Sequence, residues 1–80
     1  SGGENMAKVK NVIKGCKTEY RVIEDLMIQD QTGKIIFWGS EEGFYSGGVS
    51  EAYKKKVIES EVIEKQVFNS RKLHLLIDFE

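Results

Sequence analysis

The side chains that could do chemistry are few and stand apart. The chain has one histidine, His74, and one cysteine, Cys16. It contains no Ser/His/Asp set, no glycine motif that would cradle a phosphate, and no Cys/His cluster suited to zinc. Asp25 and Asp30 lie near each other, but paired carboxylates beside a turn usually do turn chemistry rather than acid–base catalysis. His74 therefore reads as structural or surface, Cys16 as inert, and neither an enzyme nor a cofactor nor a metal is expected. What remains is charge. Lys14, Lys17 and Arg21 cluster with Glu19 as the one acid among them, and Arg71 and Lys72 adjoin further on. Acids gather elsewhere, at Glu41-Glu42, Glu51 and Glu59-Glu61-Glu64. Lys54-Lys55-Lys56 reads as a solvated or edge-protecting run. The net charge of −1 argues against a nucleic-acid partner, for which a basic surplus is the usual footprint. Only the binding face must be positive, however, so distribution outweighs the total.

These residues must be positioned by a small scaffold. A chain of 80 residues is one domain with a compact core. Residues 1–6 read as a tag remnant or a frayed end, leaving 7–80 for the fold. A lone cysteine, no signal peptide and no membrane-length apolar run predict an intracellular protein, cytoplasmic or, in a eukaryote, nuclear. Proline is absent and glycine supplies the punctuation. The pieces between glycines are rich in β-branched residues, which predicts strands.

The first strand is expected over 7–14, ending in a loop over 15–18. The second runs over about 20–29, where Leu26 and Ile28 alternate with Met27 and Gln29. Asp30-Gln31-Thr32-Gly33 is a hairpin turn and 34–38 the third strand. Ser40-Glu41-Glu42 looks like a capped helix start, with room for a turn or two before Gly47-Gly48. A long fourth strand over 53–68 follows, its alternation slipping at Val57-Ile58 and Val62-Ile63 as if bent. The segment over 51–66 also has helix-forming Lys and Glu, but its β-branching favours strand. A turn at 69–72 and a fifth strand over 73–79 complete an all-β, five-stranded Greek-key barrel.

The wording of two segments narrows this further. The run from Leu26 to Ile35, followed by Trp38-Gly39, resembles the strand-two/strand-three hairpin of replication protein A OB-folds. The stretch Val67-Phe68-Asn69-Ser70-Arg71-Lys72-Leu73-His74-Leu75 resembles the second hairpin of that family. Only four residues separate Gly33 from Trp38, two fewer than the family usually has, which preserves the strand parity of the tryptophan.

The resemblance implies a single-stranded-nucleic-acid-binding OB-fold, with ssDNA as the expected partner and RNA possible, acting in DNA replication or repair. It implies that Trp38 and Phe68 stack bases. Its barrel geometry would place Lys14, Lys17 and Arg21 on one loop beside the binding face and Arg71 and Lys72 on another. Two stacking platforms supply about 2–6 kcal/mol before ordering costs, so tight binding would call for further OB-fold domains or subunits. An alternative expectation is an OB-fold protein-interaction subunit of a genome-maintenance complex, with an apolar patch near Phe44-Tyr45 or Phe79. Phe37 is expected to be buried where Trp38 is not.

Overall fold

A computed structural model describes residues 7–19, 23–47, 49–69 and 71–79, the side chains of 17–19 and 69 apart. Among these residues, three helices and four strands follow in the order α1 (Val9–Glu19), β1 (Asp25–Asp30), β2 (Ile35–Gly39), α2 (Glu41–Ser46), α3 (Glu51–Glu59), β3 (Glu61–Asn69) and β4 (Lys72–Asp78). The strands form one open sheet in the order β2-β1-β4-β3. Two antiparallel hairpins, β1/β2 and β3/β4, meet along a parallel seam between β1 and β4. The segment joining the hairpins carries α2 and α3 across one face of the sheet. The class is α/β. The five-stranded OB barrel expected from the sequence is not formed, because the sheet has four strands and does not close.

The two misread elements have physical causes. The expected first strand over 7–14 is the start of α1, and the loop over 15–18 lies within that helix. Val9, Val12, Ile13 and Cys16 fall at the i, i+3, i+4, i+7 spacing of a helix stripe. Val9, Ile13 and Cys16 are buried and Val12 packs against them. Tertiary burial of that stripe overrides the β preference of Val and Ile. The expected long fourth strand breaks at Ser60 into α3 and β3. Ser50 caps α3, its hydroxyl accepting from the Tyr53 N–H at 3.3 Å. Lys54, Val57 and Ile58 form its inward stripe. The slip at Val57-Ile58 was therefore a helical step. The slip at Val62-Ile63 is a register shift of β3 on β4.

The first hairpin forms where expected. Gly33 at its turn has φ of 92°, which favours glycine. Asp30 closes the turn: its carboxylate accepts from the Thr32 hydroxyl at 2.7 Å and from the backbone N–H of Thr32 and Lys34 at 2.9 and 3.0 Å. Those bonds, the Thr32 hydroxyl first, hold the Asp30 carboxyl below its ordinary range. Ser40 caps α2 by accepting from the Gly43 N–H at 3.0 Å, as its sequence suggests. Phe44 of α2 is wholly buried, with ring centroids 5.0 Å from Phe37 and 5.1 Å from Tyr45. Phe37 is half-buried on this side, and its ring comes within 3.0 Å of where a Cβ on Gly39 would stand.

The core lies between the helices and one side of the sheet. Leu26 and Ile28 of β1 and Leu73, Leu75 and Ile77 of β4 point into it, with Val9, Ile13, Phe44 and Val57 from the helices. All three helices lie on that side. The opposite side of the sheet has no helix over it among the described residues.

Candidate ligand-binding sheet face

Alternation along the strands decides what the uncovered face displays. β1 contributes Asp25, Met27 and Gln29, and β4 contributes Lys72, His74 and Leu76. The register sets Trp38 of β2 beside Met27, Met27 beside His74, and His74 beside Gln66 of β3. This row crosses the whole sheet. Phe68 joins the face from β3, its ring 4.7 Å from that of His74 at an interplanar angle of 66°. Trp38 is 59% exposed and Phe68 56%, high for the two largest side chains on the face. They stand on opposite edge strands, three strand spacings or roughly 14 Å apart.

Asp25 ties the space between them together. Its Oδ1 accepts a hydrogen bond from the Trp38 indole Nε1–H at 2.8 Å. Its Oδ2 lies 3.7 Å from Lys72 Nζ. His74 Nε2 stands 3.9 Å from Asp25 Oδ1, too far for a hydrogen bond, and that nitrogen is buried without a partner. Lys72 Nζ also sits 5.5 Å from the centroid of the Phe68 ring. Beside this group, Met27, Gln29, Glu64, Gln66, His74 and Leu76 line a shallow depression of about 90 Å³. The two ends of the face differ. Trp38, Phe68, Lys72 and Arg71 gather at one end, while Glu61 and Asp78 pair at the other.

The residues named from the sequence divide between two sides. Trp38, Phe68 and Lys72 come together on this face. Arg71 lies at its margin, where its Nη1 reaches Glu24 Oε2 at 2.7 Å. Lys14 and Lys17 do not join them, because they belong to α1 in the helix layer and not to a loop beside the face. Arg21 lies outside the described residues. Of the expected cationic loop carrying Lys14, Lys17 and Arg21, the described part is thus helix, and positive charge at the aromatic end comes from Lys72 and Arg71. Lys54 is not a solvated lysine either: it is buried in α3, its Nζ donating to the Tyr45 carbonyl at 2.6 Å and lying 2.9 Å from Glu51. Cys16 is buried in α1 rather than in a loop.

Asp25 and His74 were not among the site residues expected from the sequence, yet both stand on this face. Asp25 precedes an apolar alternation, in phase with Met27 and Gln29, and His74 is in phase with Lys72. That parity puts all of them on one face, and it was the available signal.

Of the two places where an apolar interaction patch was expected, the first keeps Tyr45 exposed beside a buried Phe44, and the second pairs Phe79 with the exposed Tyr53. Phe44 is interior. Phe79 packs on Tyr53 at 5.4 Å between ring centroids, with Lys56 Nζ 4.5 Å from its ring centre. Among the described residues, no group of three or more His, Cys, Asp or Glu is placed to hold a metal ion, and no helix is long and apolar enough to cross a membrane. No protein-family model, curated protein or solved structure matches the chain.

Proposed function

We propose that the domain binds single-stranded nucleic acid, with ssDNA as the first choice, across the aromatic end of its uncovered sheet face. The observation that carries this reading is the placement of Trp38 and Phe68. Two large rings, each more than half exposed, flank a lysine on a face that no helix covers among the described residues. A large ring more than half exposed on a rigid strand is costly to leave in water and keeps an open surface on which a base can stack. Bases stack on such rings whatever their sequence, and four-stranded sheets can carry two or three bases in this way.

The geometry suggests a path. One base rests on Trp38, whose indole Asp25 holds in place, and another rests on Phe68. Lys72 lies between and meets a phosphate by leaving Asp25. Asp25 would repel a phosphate, so the backbone runs along the rim toward Arg71 and the bases turn inward. The acidic end, with Glu61 and Asp78, directs the strand away from itself. Two platforms and one or two cations make a weak site, so further domains or subunits would be needed for tight binding.

Trp38 is the only tryptophan, so its fluorescence reports on the site directly. Titration with oligo-dT at low salt should quench it and saturate in the micromolar to submillimolar range. An unquenched Trp38 in a folded protein, together with unmoved amide resonances on β1 and β4, would overturn the reading.

A further inference from the structure

We infer that His74 is a proton-operated control of this same face: a proton on its imidazole draws it onto Asp25 and strengthens the hold on an anionic strand. The inference rests on the strand-binding reading above. It begins from an unfinished contact. His74 Nε2 is buried, has no hydrogen-bond partner, and faces Asp25 Oδ1 across 3.9 Å. A neutral imidazole has one donor nitrogen and one acceptor nitrogen. If Nε2 is the acceptor, it faces a carboxylate that cannot donate. If it is the donor, its partner is out of range. Protonation makes both nitrogens donors, and a shift of about 1 Å closes a charge-assisted bond to Asp25.

The charged groups facing His74 set the direction. From β1 comes Asp25, and from β3 Glu64, which shares the depression with His74. Lys72 lies two residues before His74 on β4 and is the one cation among these groups, with Asp78 four residues beyond on the same strand. β2 contributes the neutral Trp38, and the helices lie on the other side of the sheet. With His74 neutral, two carboxylates and one ammonium surround the site, a balance unfavourable to phosphate. One proton adds a positive charge beside Phe68 and satisfies the carboxylate that Lys72 otherwise serves. Lys72 is then free to meet a phosphate. His74 is the only histidine in the chain, so a pH dependence that its replacement removes belongs to this side chain.

The test uses a rhodamine-labelled oligo-dT, because thymine does not titrate in this window, and follows anisotropy at constant ionic strength. From about pH 8 to pH 5.5, affinity should rise by at least about five-fold, the low end of ordinary coupling between two binding events. His74→Gln should flatten that profile. In the free protein, the Trp38 indole N–H resonance should move with the His74 imidazole titration. By linkage, strand binding should move that titration to higher pH. Binding that is equally tight at both pH values, or a pH dependence retained in His74→Gln, overturns the inference and leaves strand binding standing. A Trp38 resonance that ignores the His74 titration overturns it as well. Absence of binding at either pH overturns both readings together.

Discussion

The two faces of the sheet are built from alternate residues of the same strands, yet they obey different rules. On β1, Leu26 and Ile28 are sealed under the helices, while Asp25, Met27 and Gln29 between them remain partly open. On β4, Leu73, Leu75 and Ile77 are sealed, while Lys72, His74 and Leu76 alternate with them on the other side. The covered face is apolar and close-packed, aliphatic along β1 and β4, with Phe37 of β2 set against Phe44. The uncovered face mixes acid, base, thioether and aromatic groups, and among the described residues it leaves a buried nitrogen, His74 Nε2, without a partner. A domain this small has one core, so stability is concentrated on the first face and the second is free to serve a ligand. Substitutions on the two faces should therefore separate folding from binding.

The largest effect belongs to the covered face. Phe44→Ala removes a fully buried ring that touches two other aromatics. Such a change costs about 3–5 kcal/mol. A domain of this length holds only roughly 4–12 kcal/mol in all. Urea denaturation followed by circular dichroism should show the variant largely unfolded or barely folded. A midpoint near that of the parent would mean that α2 is not part of the core.

Trp38→Ala should do the reverse. The ring is mostly exposed and its hydrogen bond to Asp25 is at the surface, so stability should fall by no more than about 1.5 kcal/mol. Strand affinity should fall by about 1–3 kcal/mol, roughly 5- to 150-fold. Trp38→Phe keeps a stacking ring and loses only the bond to Asp25, so it should retain most of the affinity. If Trp38→Ala binds oligo-dT like the parent, the uncovered face is not the site.

The cation between the rings should have a smaller and more specific signature. Lys72→Ala should make the slope of log affinity against log salt shallower by about 0.7, the share of one phosphate on a single strand. Lys14→Ala, on α1 in the helix layer, should leave the slope as it is. Equal effects from both would place the strand somewhere other than across β1 and β4.

How much of this could be read from residues follows the same division. The first hairpin was legible because Asp30, Thr32 and Gly33 carry turn chemistry within five residues, and local chemistry needs no tertiary context. The alternation of Leu26 and Ile28 with Met27 and Gln29 showed a half-buried strand. The cap at Ser40 was legible for the same local reason. The two long helices were not, because Val9, Ile13, Val57 and Ile58 favour strands intrinsically and become helical through the face they bury together. Their i, i+3, i+4 spacing was the better guide than their residue type. With both helices taken for strands, the open sheet became a barrel. Trp38 and Phe68 were nevertheless placed on the outside correctly, because strand parity depends only on the hairpins. The link from Asp25 to His74 joins β1 to β4 across the parallel seam, a pairing between residues far apart in sequence that local reading does not reach.

The smallest effect concerns a polar seam on the covered side. Glu59 at the end of α3 lies 3.0 Å from Lys8 Nζ and 2.7 Å from Lys10 Nζ, which ties α3 to the start of α1. Hydrogen bonds from Lys10 and then Lys8 bring its pKa down from the ordinary 4.5 to about 2. A carboxyl depressed in the folded state contributes stability above its unfolded pKa and loses it as pH falls through the folded one. The contribution should therefore be complete above about pH 5 and fade toward pH 2. All three side chains are well exposed, so water and salt screen the pair and its effect stays small. The melting temperature of Glu59→Gln should lie slightly below that of the parent at neutral pH and low salt. The two should converge by about pH 2, and converge at neutral pH in high salt as well. A gap that persists under both conditions would mean that the helix seam is held by packing of the lysine stems rather than by charge. The covered face would then owe its cohesion to apolar contact even at its rim.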